Sequence, residues 1–190
     1  MGNLASNVTA GKPKISGAIY KAPLGTTLPT STTDALDENA FVCLGYVSDD
    51  GLSNDNSPES STIKAWGGNT VLALQTDRPD TFTYALIEAL NKDVLGVVYG
   101  EGNVDVEDNG EIHVKATADQ LEAHVWVIDM VLRDNRAKRI VISEGTLTNL
   151  ATITYNDNDA VAYGITITAT PDEDGVYHHE YIAGESEISG

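Results

Sequence analysis

A single cysteine, Cys43, stands in a chain of 190 residues. That excludes an intrachain disulfide and any zinc site built on cysteine pairs, and it fits folding in a reducing compartment. Aromatic residues make up only 6% of the chain, so a core must rest on Val, Ile, Leu and Tyr. Basic residues are scarce: 11 Lys and Arg face 29 Asp and Glu, a formal net charge of −18. Affinity for nucleic acid comes from neutralising phosphates with Lys and Arg, so this balance disfavours gripping DNA, RNA or anionic lipid. No apolar run approaches the roughly 18 residues that span a bilayer. Met1 to Lys14 lacks the apolar centre of a secretory signal, and without secretion the acceptor-like Asn7-Val8-Thr9 has no meaning. Hydrophobic residues, at 41%, suffice for one domain with a large share of arm and loop.

Residues 1–40, rich in Gly, Ser, Thr, Pro and Ala, read as an extended N-terminal arm held open by Pro13, Pro23 and Pro29. An arm of this kind needs a partner surface to order it. Residues 41–182 form the domain, and 183–190 a C-terminal tail. Phe41 to Val47 is a first strand, and Ser48 to Ser61, with Leu52 as its one apolar residue, is a long polar loop. From Thr70 the period is two: Leu72 and Leu74, then Phe82, Tyr84 and Leu86 beyond Asp77-Arg78-Pro79-Asp80, predict a hairpin over 70–88. Asn91 to Tyr99 predicts a helix with Asn91 as N-cap and Gly100 as stop, the alternatives being a longer helix from near Ala85 or a strand over Leu95-Gly-Val-Val-Tyr99. Asp108-Asn109-Gly110 turns a hairpin between Val104–Val106 and Ile112–Val114. His124 to Arg133 places Trp126, Ile128, Met130 and Leu132 on one face, with Ile140 to Ile142 returning beside it. A last hairpin over 151–170 joins Ile153–Tyr155 to Val161–Ala169, where Tyr163, Ile165 and Ile167 alternate with threonines. The fold class is mainly β with one main α-helix, a sandwich or partial barrel.

Sites for chemistry are not found among these elements. His113 and His124 sit on strands among apolar neighbours, and His178-His179 point to opposite faces, badly placed to share a metal. Asp105, Glu107, Asn109 and Gly110 imitate the start of a calcium loop, but Ala116 stands where the bidentate Glu belongs. Gly100-Glu101-Gly102 lacks the rest of a dinucleotide fingerprint. The reading is therefore no enzyme, no cofactor and no metal. Arg133, Arg136, Lys138 and Arg139 are the only basic cluster, placed to bridge to an acidic neighbouring subunit or to cap a solvated hairpin end.

The chain resembles the major tail proteins, or tail tube proteins, of siphophages infecting Gram-positive bacteria. The resemblance is carried by Gly17 to Thr30, Leu44-Gly-Tyr-Val-Ser48, Asp50-Gly-Leu52, Ile63-Lys-Ala-Trp-Gly-Gly68, Asp93-Val-Leu95, Val98-Tyr-Gly100, Lys138 to Ile142, Ile153-Thr-Tyr155 and Thr166 to Ala169, in that order. It implies a β-sandwich of the tail-tube type flanked by a helix. It also implies hexameric rings whose inner sheets join around a lumen and stack into a conduit for DNA ejection. Tape measure and terminator proteins would be further partners, DNA would pass without specific binding, and no membrane would be involved. The place would be the virion tail, assembled in the host cytoplasm. On this reading the two hairpins at 70–88 and 151–170 line the lumen through Gln75, Asp77, Asp80, Thr81, Thr83, Thr152, Thr154, Asp157, Asp159, Thr166 and Thr168. Their opposite face, Leu72, Leu74, Phe82, Tyr84, Leu86, Ile153, Tyr155, Tyr163, Ile165 and Ile167, packs the core. Contacts between subunits fall to Val8, Ile19, Tyr20, Leu24, Leu28, Leu52, Arg133, Arg136, Lys138 and Arg139. The alternative is a phage decoration or surface-binding β module, which would show an exposed aromatic or glycan-binding cluster.

Overall fold

A computed structural model describes residues 3–14 and 17–184. Its strands are β1 (Lys12–Pro13), β2 (Ile19–Pro23), β3 (Val42–Cys43), β4 (Val47–Asp55), β5 (Glu59–Lys64), β6 (Thr70–Asp77), β7 (Thr81–Leu86), β8 (Val104–Val106), β9 (Ile112–Val114), β10 (His124–Val131), β11 (Ala137–Leu150), β12 (Tyr163–Ala169) and β13 (His179–Ile182), with one α-helix, α1 (Lys92–Tyr99). Nine strands form one sheet in the order β3-β2-β10-β11-β12-β7-β4, with β1 also beside β10 and β13 beside β11; every pair is antiparallel.

The long strand β11 divides this sheet in two. Its first half pairs β10 on one side and β13 on the other. Its second half, from Gly145, pairs β12. At the division a side chain would not fit: a Cβ on Gly145 would lie 2.7 Å from Ile167 Cγ2 and 2.9 Å from Trp126 Cδ1. Trp126 Nε1 donates to the Gly145 carbonyl at 2.9 Å, holding the two halves together. Both halves send side chains into a single core, with Ile19, Trp126, Ile128, Ile140 and Ile142 from one and Phe82, Tyr84, Leu86, Tyr163, Ile165 and Ile167 from the other. Helix α1 closes this core with Val94, Leu95, Val97 and Val98. It begins where the Asn91 side chain accepts from Asp93 N and ends at Gly100, whose φ of 94° ends the helical path.

The two halves differ on their outer faces, and the sequence pattern of each strand follows from that. Strand β10 reads as a nearly continuous apolar run because both its faces are covered. Behind it, Ala22, Phe41, Val125, Val127 and Val141 form a second core under Leu28, Leu36 and Ala40. Strands β7 and β12 alternate because only one face is covered; their burial alternates residue by residue.

Several expectations need correcting. The stretch read as an arm contains an interior strand, β2, and a covering segment over the second core. The amphipathic signal was lost there because β2 is five residues long and buried on both faces. The loop expected at 48–61 is β4 and the start of β5; polar residues form these strands because β4 is an edge and β5 stands in solvent. There is no 70–88 hairpin: β6 pairs β5, while β7 pairs β4 and β12. Leu72 and Leu74 are exposed and not in the core. Residues 151–162 form no strand, so β12 pairs β11 instead of Ile153–Tyr155, and Tyr155 is exposed while Ile153 packs at the core margin. The mainly β class, α1, the β8–β9 hairpin and the return of β11 beside β10 stand as expected.

Candidate functional site

The uncovered half-sheet presents a polar face. Residues paired across an antiparallel sheet share a face, so the partners Ser53–Thr83–Thr166–Asn149 and Asp55–Thr81–Thr168–Thr146 form two rows across β4, β7, β12 and β11. Hydroxyls link them: Thr83 Oγ1 lies 3.0 Å from Thr166 Oγ1, and Thr148 Oγ1 lies 2.7 Å from Thr168 Oγ1. Ala85 and Gly164, themselves paired, continue the same face. The side chains are small and carry no Lys or Arg; Asp55 is the one charge in these rows. Among the described residues the half-sheet has two open edges. Strand β4 pairs only β7, and the ladder from β10 to β11 stops at Gly145, leaving Thr146–Leu150 bonded to β12 alone. Unpaired edges of this kind are templates for a further strand.

At the Asp55–Thr81 end of this half-sheet the chain leaves as a ribbon, β5 and β6. Every residue from Glu59 to Lys64 and from Thr70 to Asp77 is exposed. Its apolar residues therefore face water: Ile63, Val71, Leu72 and Leu74, with Trp66 in the tip turn 106% exposed. A two-stranded ribbon is marginal alone in water. Its base is fastened by Asp80, which is fully buried. His178 Nδ1 donates to Asp80 Oδ2 at 2.5 Å and Asn54 Nδ2 to Asp80 Oδ1 at 2.7 Å. The His178 ring stands edge-on to Phe82, with centroids 5.2 Å apart.

The residues assigned to a lumen thus separate. Thr81, Thr83, Thr166 and Thr168 come together on the polar face. Gln75 and Asp77 lie on the ribbon, and Thr152, Thr154, Asp157 and Asp159 on the exposed 151–160 segment. Asp80 is fully buried and spent inside the subunit on His178 and Asn54. Sequence reasoning missed Ser53, Asp55, Thr146, Thr148 and Asn149. The alternation Thr146-Leu147-Thr148 was the available signal.

The residues assigned to subunit contacts divide in the same way. Val8 and Leu24 are exposed, and Leu52 is half-buried on β4. Ile19 is 1% exposed, in its own core, and Tyr20 and Leu28 pack against the second core. The basic cluster is mostly consumed within the subunit. Arg139 donates to both carboxylate oxygens of Asp129, at 2.7 and 2.8 Å, and to the carbonyls of Ser31 and Asp34. The Asp129 carboxylate raises the Arg139 pKa further. Arg136 donates twice to the Ala183 carbonyl, and Lys138 pairs with Glu180 at 2.8 Å. Arg133 remains exposed beside Asp134.

No group of three or more His, Cys, Asp or Glu that could hold a metal occurs among the described residues. Neither is any of their helices long and apolar enough to cross a membrane. A family described as "Phage tail tube protein" matches residues 3–187. Comparison with curated proteins finds no match. Among solved structures, one described as the cryo-EM structure of the anti-feeding prophage cap (AFP tube terminating cap) is 12% identical. It covers 96% of this chain and 100% of its own, with a TM-score of 0.39.

Proposed function

Because the chain belongs to the phage tail tube protein family, and so has a structural role in the tail, we propose that it is the repeating subunit of the tube wall. Six copies close into a ring, rings stack, and DNA leaves the virion through the lumen. The observation that carries this reading is the half-sheet with one threonine-rich face and two open edges. Adding the β4 edge of one copy to the β11 edge of the next extends the sheet, and cyclic symmetry closes it and removes both edges. The core face stays covered, so the hydroxyl face must turn inward or outward. Turned inward, it lines the lumen with small side chains that bring no cation against the phosphates. The −18 charge of each copy keeps the conduit from holding the duplex.

Stacking falls to the ribbon, whose apolar residues face water in the single subunit. Tape measure and terminator proteins would meet the lumen and the tube end. Assembly would take place in the host cytoplasm, and the finished tube would lie in the virion tail.

Negative-stain microscopy of the concentrated purified protein tests the reading. Rings or hollow tubes are expected; a monodisperse population at all concentrations would overturn it.

A further inference from the structure

A groove of about 920 Å³ opens at the opposite end of β4 from the ribbon. Its apolar wall is Ile19, Val47, Leu52, Ile87, Ile128 and Met130. The β4 bulge supplies another wall, where the buried Ser48 hydroxyl has no hydrogen-bond partner among the described residues. Asp49 and Asp159 line it with negative charge, against Lys12 as the one cation among its described lining residues. We propose that this groove receives the ribbon tip of a second copy, with Trp66 inserted among the apolar side chains. The inference rests on the tube reading above and names the surface on which one ring meets the next.

Three features of the same chain fit this occupant. Trp66 is wholly exposed, and burying it removes on the order of 150–250 Å² of surface from water. Ile63 and Leu72, paired across the ribbon just behind the tip, share one face and extend the apolar contact. Lys64 is the sole charge between Glu59 and Asp77, so the tip is positive where the groove is negative.

Direction supports the same occupant. The ribbon leaves from the Asp55–Thr81 pair, while the groove surrounds Val47, which pairs with Leu86. Donor and acceptor therefore sit at opposite ends of one strand pair, separated by about 17 Å at strand spacing. A contact between unlike patches is heterologous, and one directed from one end of the subunit to the opposite end of the next, with no closing rotation, propagates along an axis.

The test joins cross-linking to charge reversal. In a Cys43→Ser background, Ala65→Cys and Ala160→Cys place thiols beside Trp66 on the tip and on an exposed residue of the groove, with Trp66 itself kept. Oxidation of assembled protein should give a ladder of disulfide-linked chains that either substitution alone does not. Asp49→Lys with Asp159→Lys should abolish pelletable polymer, and adding Lys64→Glu should restore it. Ala160→Trp, which fills the groove from outside, should block polymerisation while leaving the circular dichroism spectrum and melting curve unchanged. If the wild-type chain forms no rings or tubes, the tube reading fails and takes this inference with it. If tubes form but no ladder appears, or the filled groove polymerises normally, the docking site is wrong and the tube reading survives.

Discussion

At the scale of single residues, two charge arrangements decide how the subunit holds together. The Arg139–Asp129 pair is buried at both ends and clamps residues 31–34 over the second core. Removing one partner of such a pair strands a charge out of water. Asp129→Ala should therefore cost about 3–5 kcal/mol of stability, read as a lowered urea midpoint. A midpoint within experimental error of wild type would refute the clamp.

The second arrangement joins Lys21, 3% exposed, to Glu101 at 2.5 Å, with His124 at 3.5 Å from the same carboxylate. The hydrogen bond from Lys21 holds the Glu101 carboxyl below its ordinary range, and the charges of Lys21 and His124 add to it against desolvation. A depressed carboxylate contributes its full stability above its unfolded pKa, about 4.3, and loses it as pH falls through the folded value. Glu101 is largely exposed, which screens the effect. Acidification below the ordinary carboxylate range should loosen this tether and change the fluorescence of Trp126, whose ring contacts His124. Measured with Trp66→Phe to remove the other indole, the transition should be absent when Glu101→Gln is added.

At the scale of elements, the ribbon and β2 are opposites. The ribbon is exposed along its whole length, so replacing Glu59–Asp77 by a short turn removes no core contact. The shortened chain should unfold cooperatively near the wild-type temperature yet form no tubes. A large loss of melting temperature would mean the ribbon packs on its own subunit. Strand β2 lies inside the sheet between β10 and β3, with Ile19 and Ala22 buried in different cores. Deleting residues 1–30 should accordingly prevent folding, as seen by lost chemical-shift dispersion or proteolytic resistance. The reading of residues 1–40 as an arm ordered only by a partner surface does not hold for β2.

At the scale of the whole molecule, the distribution of charge matters more than its total. The threonine rows hold no cation, and the basic residues Arg136, Lys138 and Arg139, at the other end of β11, are spent inside the subunit. Assembled tubes should retain no short duplex DNA at moderate salt. Thr83→Lys combined with Thr166→Lys puts two cations per copy on the proposed lumen face, repeated around each ring. Tubes of that variant should bind duplex DNA with steep salt dependence. If they polymerise and still retain none, the threonine face lies outside the lumen.

The sequence by itself determined what depends on neighbours along the chain. Alternation in Phe82–Leu86 and Tyr163–Ala169, the Asn91 cap, the Gly100 stop and the Asn109-Gly110 turn are local signals, and each produced the element it specifies. The succession of short motifs pointed to the family. Only the tertiary structure decided which strand lies beside which. An alternating segment buries its apolar face only if a second layer is there to meet it. Leu72 and Leu74 alternate as cleanly as Phe82 and Tyr84, yet they stand in solvent because β6 found β5 and no layer beneath it. Polar β4 forms a strand because its partner is β7, and Asp80 is buried because His178, distant in sequence, comes to meet it. Those pairings are set by long-range packing, which no local pattern encodes.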